Sequence, residues 1–93
     1  MGVIFEWDSR KASSNARRHG VEFREAASVF LDPLAWTVPD PDHSESEHRF
    51  VTIGQSAQRL IIVVAHADRG ERIRIISARK ATRRERHEHA ENP

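Results

Sequence analysis

The stretch RFVTIGQSAQRLIIVVAHADRGERIRIIS, residues 49–77, decides the fold. It holds three strand-like runs, RFVTIG at 49–54, RLIIVVAH at 59–66 and ERIRIIS at 71–77, joined by QSAQ and ADRG. Linkers this short suit antiparallel hairpins, because a parallel crossover needs a dozen residues or more. The three runs therefore predict an antiparallel meander. The middle run is apolar at consecutive positions, as expected of a central strand covered on both faces. Gly70 supplies the flexible turn that follows it.

Outward from the meander, VIFEW at 3–7 is β-branched and aromatic and reads as a first strand closed by Asp8. From Ser9 to His19 there is no Pro or Gly, and Asp8 or Ser9 can cap the start. Arg17, Arg18 and His19 then complement the C-terminal end of the helix dipole, and Gly20 stands where a left-handed residue is wanted. In VEFREAASVFLDP, residues 21–33, Phe23, Ala27 and Phe30 recur at helical spacing and Pro33 ends the pattern, giving a second helix. LAWTV at 34–38 reads as a short strand, and PDPDHSESEH at 39–48 as an acidic loop. Ser77 is read as the N-cap of a last helix, Ala78 to Ala90, polar all round and therefore on the surface or docked on another molecule. The expected fold class is α+β, one domain over residues 1–93. It comprises an N-terminal strand and two helices, the meander and a basic C-terminal helix, with the helices on one face of the sheet.

The 93 residues carry a formal net charge of +1, which conceals an asymmetry. Residues 1–58 hold six Lys/Arg against nine Asp/Glu, and residues 59–93 hold nine against five. A basic end of this kind fits a polyanionic partner. There is no cysteine, which excludes disulfides and thiolate catalysis. The start MGVIFEWD lacks the basic-then-apolar order of a leader, and the apolar run LIIVVA is far short of the roughly 20 residues of a membrane span. A cytoplasmic protein with no membrane contact is expected.

Within the predicted last helix Arg79, Arg83 and Arg86 fall at i, i+4 and i+7, beside a stripe of Lys80, Arg84 and His87. Arg72 and Arg74 share one side of the strand feeding into it. Phosphates are the usual anions for such a band, since the arginine fork matches two oxygens. The bland alternative is a solvated surface with Glu85 and Glu88 as local counter-charges. His43 and His48 flank Glu45 and Glu47, and His87 lies near His89, but one pair falls in a loop and the other points to different helix faces. No metal site and no cofactor is expected. His66, on the same face as Leu60, Ile62 and Val64, reads first as a core-edge histidine, and Arg49, at a strand entry, as a surface residue.

The order of the segments FEWDSRKASSNARRHGVEFREAASVFLDP, PDPDHSESEHRFVTIG, LIIVVAH and RIRIISARKATRRE resembles the BrnT family of bacterial type II toxins, from about Phe5 to His89. The resemblance implies a RelE-like fold and a ribonuclease that slows growth by cutting RNA, free or on the ribosome. It also implies a BrnA-type antitoxin, and a homodimer within a toxin–antitoxin complex that meets DNA only through the antitoxin. Arg49 in HRFVTIG and Arg79 in ISAR match the family's two arginine motifs and are expected as active-site cations. Lys11 and Asn15 match KxxxN, followed by His19 and Gly20, and Trp7 and Asp8 match the WD opening. Glu47 and His66 fall at family-like positions, while His89 stands where tyrosine is common.

RNA cleavage without a metal would use the substrate's 2′-hydroxyl as nucleophile. It then needs a base, an acid and cations for the charge growing on the phosphate. Arg49 and Arg79 suit the last task; Glu47 and His66 are the expected base and acid in either order, histidine titrating near neutrality. Lys11, Arg72, Arg74, Lys80 and Arg83 are expected to bind RNA phosphates. Two rival readings are a non-catalytic nucleic-acid-binding module and a protein whose basic helix serves only a protein partner.

Overall fold

The computed structural model describes residues 2–40 and 48–91. In chain order the elements are β1 (Ile4–Glu6), α1 (Ser9–His19), α2 (Phe23–Ser28), a 3-10 turn (Val29–Leu31), β2 (Trp36–Pro39), β3 (Arg49–Gln55), β4 (Ile61–Arg69), β5 (Arg72–Lys80) and α3 (Arg83–Glu91). The strands form one mixed sheet in the order β1-β5-β4-β3-β2, with β1 parallel to β5 and every other pair antiparallel. Among the described residues this is an α+β arrangement with three helices and five strands.

Local chemistry explains α1. The Asp8 carboxylate accepts from the backbone N–H groups of Arg10 (2.8 Å) and Lys11 (3.2 Å), and Gly20 ends the helix at φ 70° with its N–H on the Ala16 carbonyl. Asn15, buried on α1, then ties the helix to the sheet. Its amide donates to the Val21 carbonyl (2.9 Å) and the Ala78 carbonyl (2.8 Å) and accepts from the Ala78 N–H (3.0 Å). That pair of bonds to one residue imitates a strand neighbour at the edge of β5 beyond the three rungs made by β1.

Alternation along the strands divides the apolar side chains between two faces. Ile62, Val64, Ile75 and Ala78 pack under Val21, Phe23, Ala26 and Val29 of the two N-terminal helices and the 3-10 turn, forming the main core. Ile53 and Val63 point the other way and join Ala81, with Trp36, Val51 and Ile61 around them. Gly54 permits the 3-10 turn to approach: a Cβ there would stand 2.8 Å from both Ala35 Cβ and Val29 Cγ1. Between Ala65 and His66 the ladder with β5 slips by one residue, leaving Ile76 as a bulge between Ile75 and Ser77.

Two expectations are corrected. The last helix does not begin at Ala78: β5 runs on to Lys80, paired with Ile62, and α3 starts at Arg83. The true start is a reciprocal cap in which the Thr82 N–H donates to Glu85 Oε1 (2.8 Å) and the Glu85 N–H donates to Thr82 Oγ1 (3.2 Å). Arg79 and Lys80 are therefore strand residues, and the helical band Arg79–Arg83–Arg86 does not form. Nor do all helices share one face. Glu85 and Glu88 of α3 line a groove of about 170 Å³ with Trp36, Val38, Val51, Ile53 and Val63, so α3 covers the face opposite α1 and α2.

Candidate active site

Arg79 sits on β5 opposite Val63, on the face crossed by α3. Its guanidinium makes a two-point contact with Glu85, Nη1 donating to Oε1 at 2.8 Å and Nη2 to Oε2 at 2.9 Å, and Nη1 also reaches the Lys80 carbonyl at 3.3 Å. Those bonds pull the Glu85 carboxyl down to about 2, against the desolvation that opposes them, with the Thr82 N–H assisting. Glu85 in turn raises the Arg79 pKa. The Arg79 side chain is 43% exposed, so the fork is held in place yet open to solvent. Such a cation is a preorganised receptor for an oxyanion.

Arg49 opens β3 opposite Ala67, and Ala67 is in turn opposite Arg74 on β5. Facing residues of paired strands point the same way, so Arg49 and Arg74 flank one position of the arginine-bearing face. Ala67 lies four residue steps along β4 from Val63, which places the Arg49 and Arg79 rungs roughly 13 Å apart along the strands. The two expected active-site arginines thus share a face without being neighbours.

His66 belongs elsewhere. It is 1% exposed on the face covered by α1 and α2, with its ring edge-on to Phe30 (centroids 4.9 Å apart) and stacked on Phe50 (6.0 Å). Nδ1 meets Asp68 Oδ1 at 2.8 Å and Nε2 meets Thr52 Oγ1 at 2.7 Å, and Thr52 continues to the Thr37 hydroxyl at 2.6 Å. Burial pushes its pKa down while Asp68 pushes it back up, and the net shift is downward. The neutral ring fits the network with Nδ1–H donating to Asp68 and Nε2 accepting from Thr52. Neither nitrogen is open to a substrate, and the ring is across the sheet from both arginines. Glu47, with His43 and Glu45, lies outside the described residues. Among the described residues no group of three His, Asp or Glu side chains is placed to hold a metal ion.

The expected phosphate-binding residues are spread over both faces of the sheet and its edges. Arg72 and Arg74 both donate to Glu6 on β1 (3.2 and 3.4 Å), so they do share a side, with a carboxylate between them. Lys80 is exposed opposite Ile62 and hence on the other side of β5 from Arg79. Arg83 opens α3 and borders a shallow basic surface with Arg84, Arg86 and His87. Lys11 lines a separate pocket with Asn15 and Arg18.

Three contacts of this region are missed by pattern reading. Glu85 appears in the sequence only as a counter-charge, yet it fixes the Arg79 fork; the Thr82-x-x-Glu85 spacing was the available signal. Thr52 reaches His66 from the neighbouring strand β3, while Asp68, two residues on along β4, closes the other ring nitrogen. His89 Nε2 lies 3.0 Å from Asp32 Oδ2, both side chains 8% exposed, and fastens the end of α3 to the residue after the 3-10 turn, whose Oδ2 also accepts from the Gln55 N–H at the end of β3. Burial raises the Asp32 pKa, but the N–H groups of Gln55 and Leu34 and the His89 ring outweigh it, leaving the carboxyl below its ordinary value.

Residues 7–85 match the family described as the ribonuclease toxin BrnT of type II toxin–antitoxin systems. The crystal structure of the Brucella abortus ribonuclease toxin BrnT superposes with a TM-score of 0.67 at 28% identity, covering 89% of this chain and 99% of the other. No curated protein sequence matches.

Proposed function

Because the chain belongs to the BrnT family of type II ribonuclease toxins, we propose that it is an endoribonuclease that cuts RNA through the substrate's own 2′-hydroxyl. The observation that carries this reading is the Arg79 fork, half exposed and set by Glu85. The 2′-oxygen attacks the adjacent phosphorus and loses its proton. The bond to the 5′-oxygen breaks, that oxygen takes up a proton, and a 2′,3′-cyclic phosphate and a 5′-hydroxyl end result. Arg79 meets the negative charge that builds on the non-bridging oxygens, in a place where Glu85 holds a carboxylate beforehand. Arg49 and Arg74 hold flanking backbone, with Arg72, Lys80, Arg83 and Lys11 as further phosphate contacts.

Proton transfer is the lesser part of this mechanism. Glu85, held near 2, is ionised throughout the neutral range and a weak base while clamped. His66 has no open nitrogen, which leaves Glu47 as the candidate base and gives orientation of the 2′-hydroxyl most of the work. The reading includes a BrnA-like antitoxin that covers the arginine face, a toxin dimer within that complex, a RelE-like ancestry of the fold, growth restraint in the cytoplasm and action with or without the ribosome.

The second reading, a nucleic-acid-binding module without chemistry, is favoured by one observation, the enclosure of His66. Cleavage of a mixed RNA by antitoxin-free protein in excess EDTA, with Arg79→Ala beside it, separates the two. Cutting by the parent that the variant loses supports the ribonuclease. RNA bound but left intact by both, even after ribosomes are added, supports the binding module.

A further inference from the structure

At the β5 edge, Lys11, Ser14, Arg18 and His19 of α1 face Ile76 and Ser77 across a pocket of about 170 Å³, with Asn15 at its floor. Every polar side chain around it can donate a hydrogen bond, three of them are basic, and no carboxylate lines it. Among the described residues no salt bridge joins Lys11, Arg18 or His19 to an acid, unlike Arg72, Arg74 and Arg79, each of which holds a carboxylate. The helix dipole accounts for basic residues in the last turn of α1, but Lys11 stands two turns earlier. Arg17 occupies that same last turn and does not line the pocket, so the dipole alone does not select its members.

Asn15 makes the pocket rigid. Its amide is spent on Val21 and Ala78, which fixes α1 against β5 and sets the spacing between the α1 side chains and the strand. Ser77 precedes Arg79 by two residues on β5, about 7 Å along the strand. Ser77 and Arg79 share one face of β5 while Lys11, Ser14, Arg18 and His19 reach Ser77 from α1, so the two sites are linked around the β5 rim, and an extended single strand with phosphates spaced on this order crosses that rim between them.

We infer that this pocket is a second phosphate subsite, in which Lys11 and Arg18, helped by Ser14, Ser77 and His19, hold the RNA backbone phosphate next to the one at Arg79. The inference rests on the ribonuclease reading for its ligand and adds a binding register to it. RNA enters along the β5 edge over α1, and the pocket fixes which linkage stands at Arg79.

The test is the affinity of a fluorescein-labelled single-stranded RNA 12-mer across a salt series, with steady-state cleavage of the same RNA. The proteins are the parent, Lys11→Gln/Arg18→Gln and Arg17→Gln. The double variant is expected to bind several-fold more weakly and to lose about 1.4 from the slope of log affinity against log salt, roughly 0.7 per charge for a single strand. It is expected to raise KM more than it lowers kcat, while Arg17→Gln matches the parent. Unchanged affinity and slope in the double variant, or an equal loss in Arg17→Gln, overturns the subsite. The two readings fail separately. A parent that binds RNA through the pocket without cutting removes the ribonuclease and leaves the subsite, whereas a parent that cuts equally well without Lys11 and Arg18 does the reverse. Circular dichroism of the double variant guards against misfolding, and the single Arg18→Gln, on an exposed side chain, repeats the test should the double variant fail to fold.

Discussion

The two faces of the sheet are built by opposite rules. Under α1 and α2 the core side chains are enclosed, and the buried polar ones among them are matched: His66 with Thr52 and Asp68, Asn15 with Val21 and Ala78. Under α3 the cover is partial. The Trp36 indole nitrogen is the one buried side-chain polar atom without a partner among the described residues, the groove beside it is open, and charged forks stand at both ends. Packing quality on one face and accessible charge on the other are complementary. The first supplies the rigidity that the second needs in order to hold an arginine in a fixed direction.

Substitutions can break this contrast in graded steps. The largest effect is expected for Arg79→Ala: a hundred- to thousand-fold loss of kcat, the scale of removing one oxyanion donor, with an unchanged fold by circular dichroism. A comparable loss of stability in that variant would move Arg79 into the structural half of the molecule. Ile62→Ala on the enclosed face should do the converse and cost about 3 kcal/mol in urea unfolding through the cavity it leaves. Asn15→Ala should cost about 2 kcal/mol by stranding the Ala78 N–H and the carbonyls it served. A result near zero there would show that water replaces the amide at the β5 edge.

Acid titration of stability sharpens the comparison further, because each face contributes its own phase. His66 has a folded pKa below its ordinary 6.5, so the unfolded chain takes up the proton first. The stability that goes with the neutral ring is present above 6.5 and is lost as pH falls from there through the folded value. Glu85 contributes stability above its ordinary 4.5 that is lost as pH falls toward about 2. His66→Gln should remove the upper phase alone, and Glu85→Gln should shrink the lower one, which Asp32, Glu6 and Asp8 share because their carboxyls also lie below the ordinary value. The smallest effect is expected for Arg72→Gln, since that ion pair is 58% exposed on the arginine side. It should leave unfolding nearly unaltered and reduce the salt slope of RNA binding by about 0.7.

Local features were the legible ones. Asp8 and Gly20 bound α1 because a cap needs only its own neighbours, and the apolar runs around Ile53, Val64 and Ile75 declare strands by composition. The segment after Ser77 misleads for the same reason. Ala78, Arg79 and Lys80 have good helix propensity, but β4 extends far enough to pair with all three, and pairing across strands outweighs propensity. The arginines of the candidate site could be named from their resemblance to a family, but not their separation, which depends on register. His66 shows both sides of the difficulty. Its place among Ile62 and Val64 already pointed to the core, and the Asp68 carboxylate stands two residues on along the same strand, whereas the Thr52 hydroxyl that closes off Nε2 lies on a strand that sequence order does not bring near.

Asn15 offers a last consequence. A strand whose outer rim is bare invites another copy of the chain to add itself there, the first move of edge-to-edge aggregation. By turning its amide onto both backbone groups of Ala78, Asn15 acts as a strand one residue long. It ends the row of available rungs with a side chain that cannot be extended. One amide thereby serves as a stop codon for sheet growth, and its removal should be felt in colloidal behaviour at high concentration even under conditions where the fold survives.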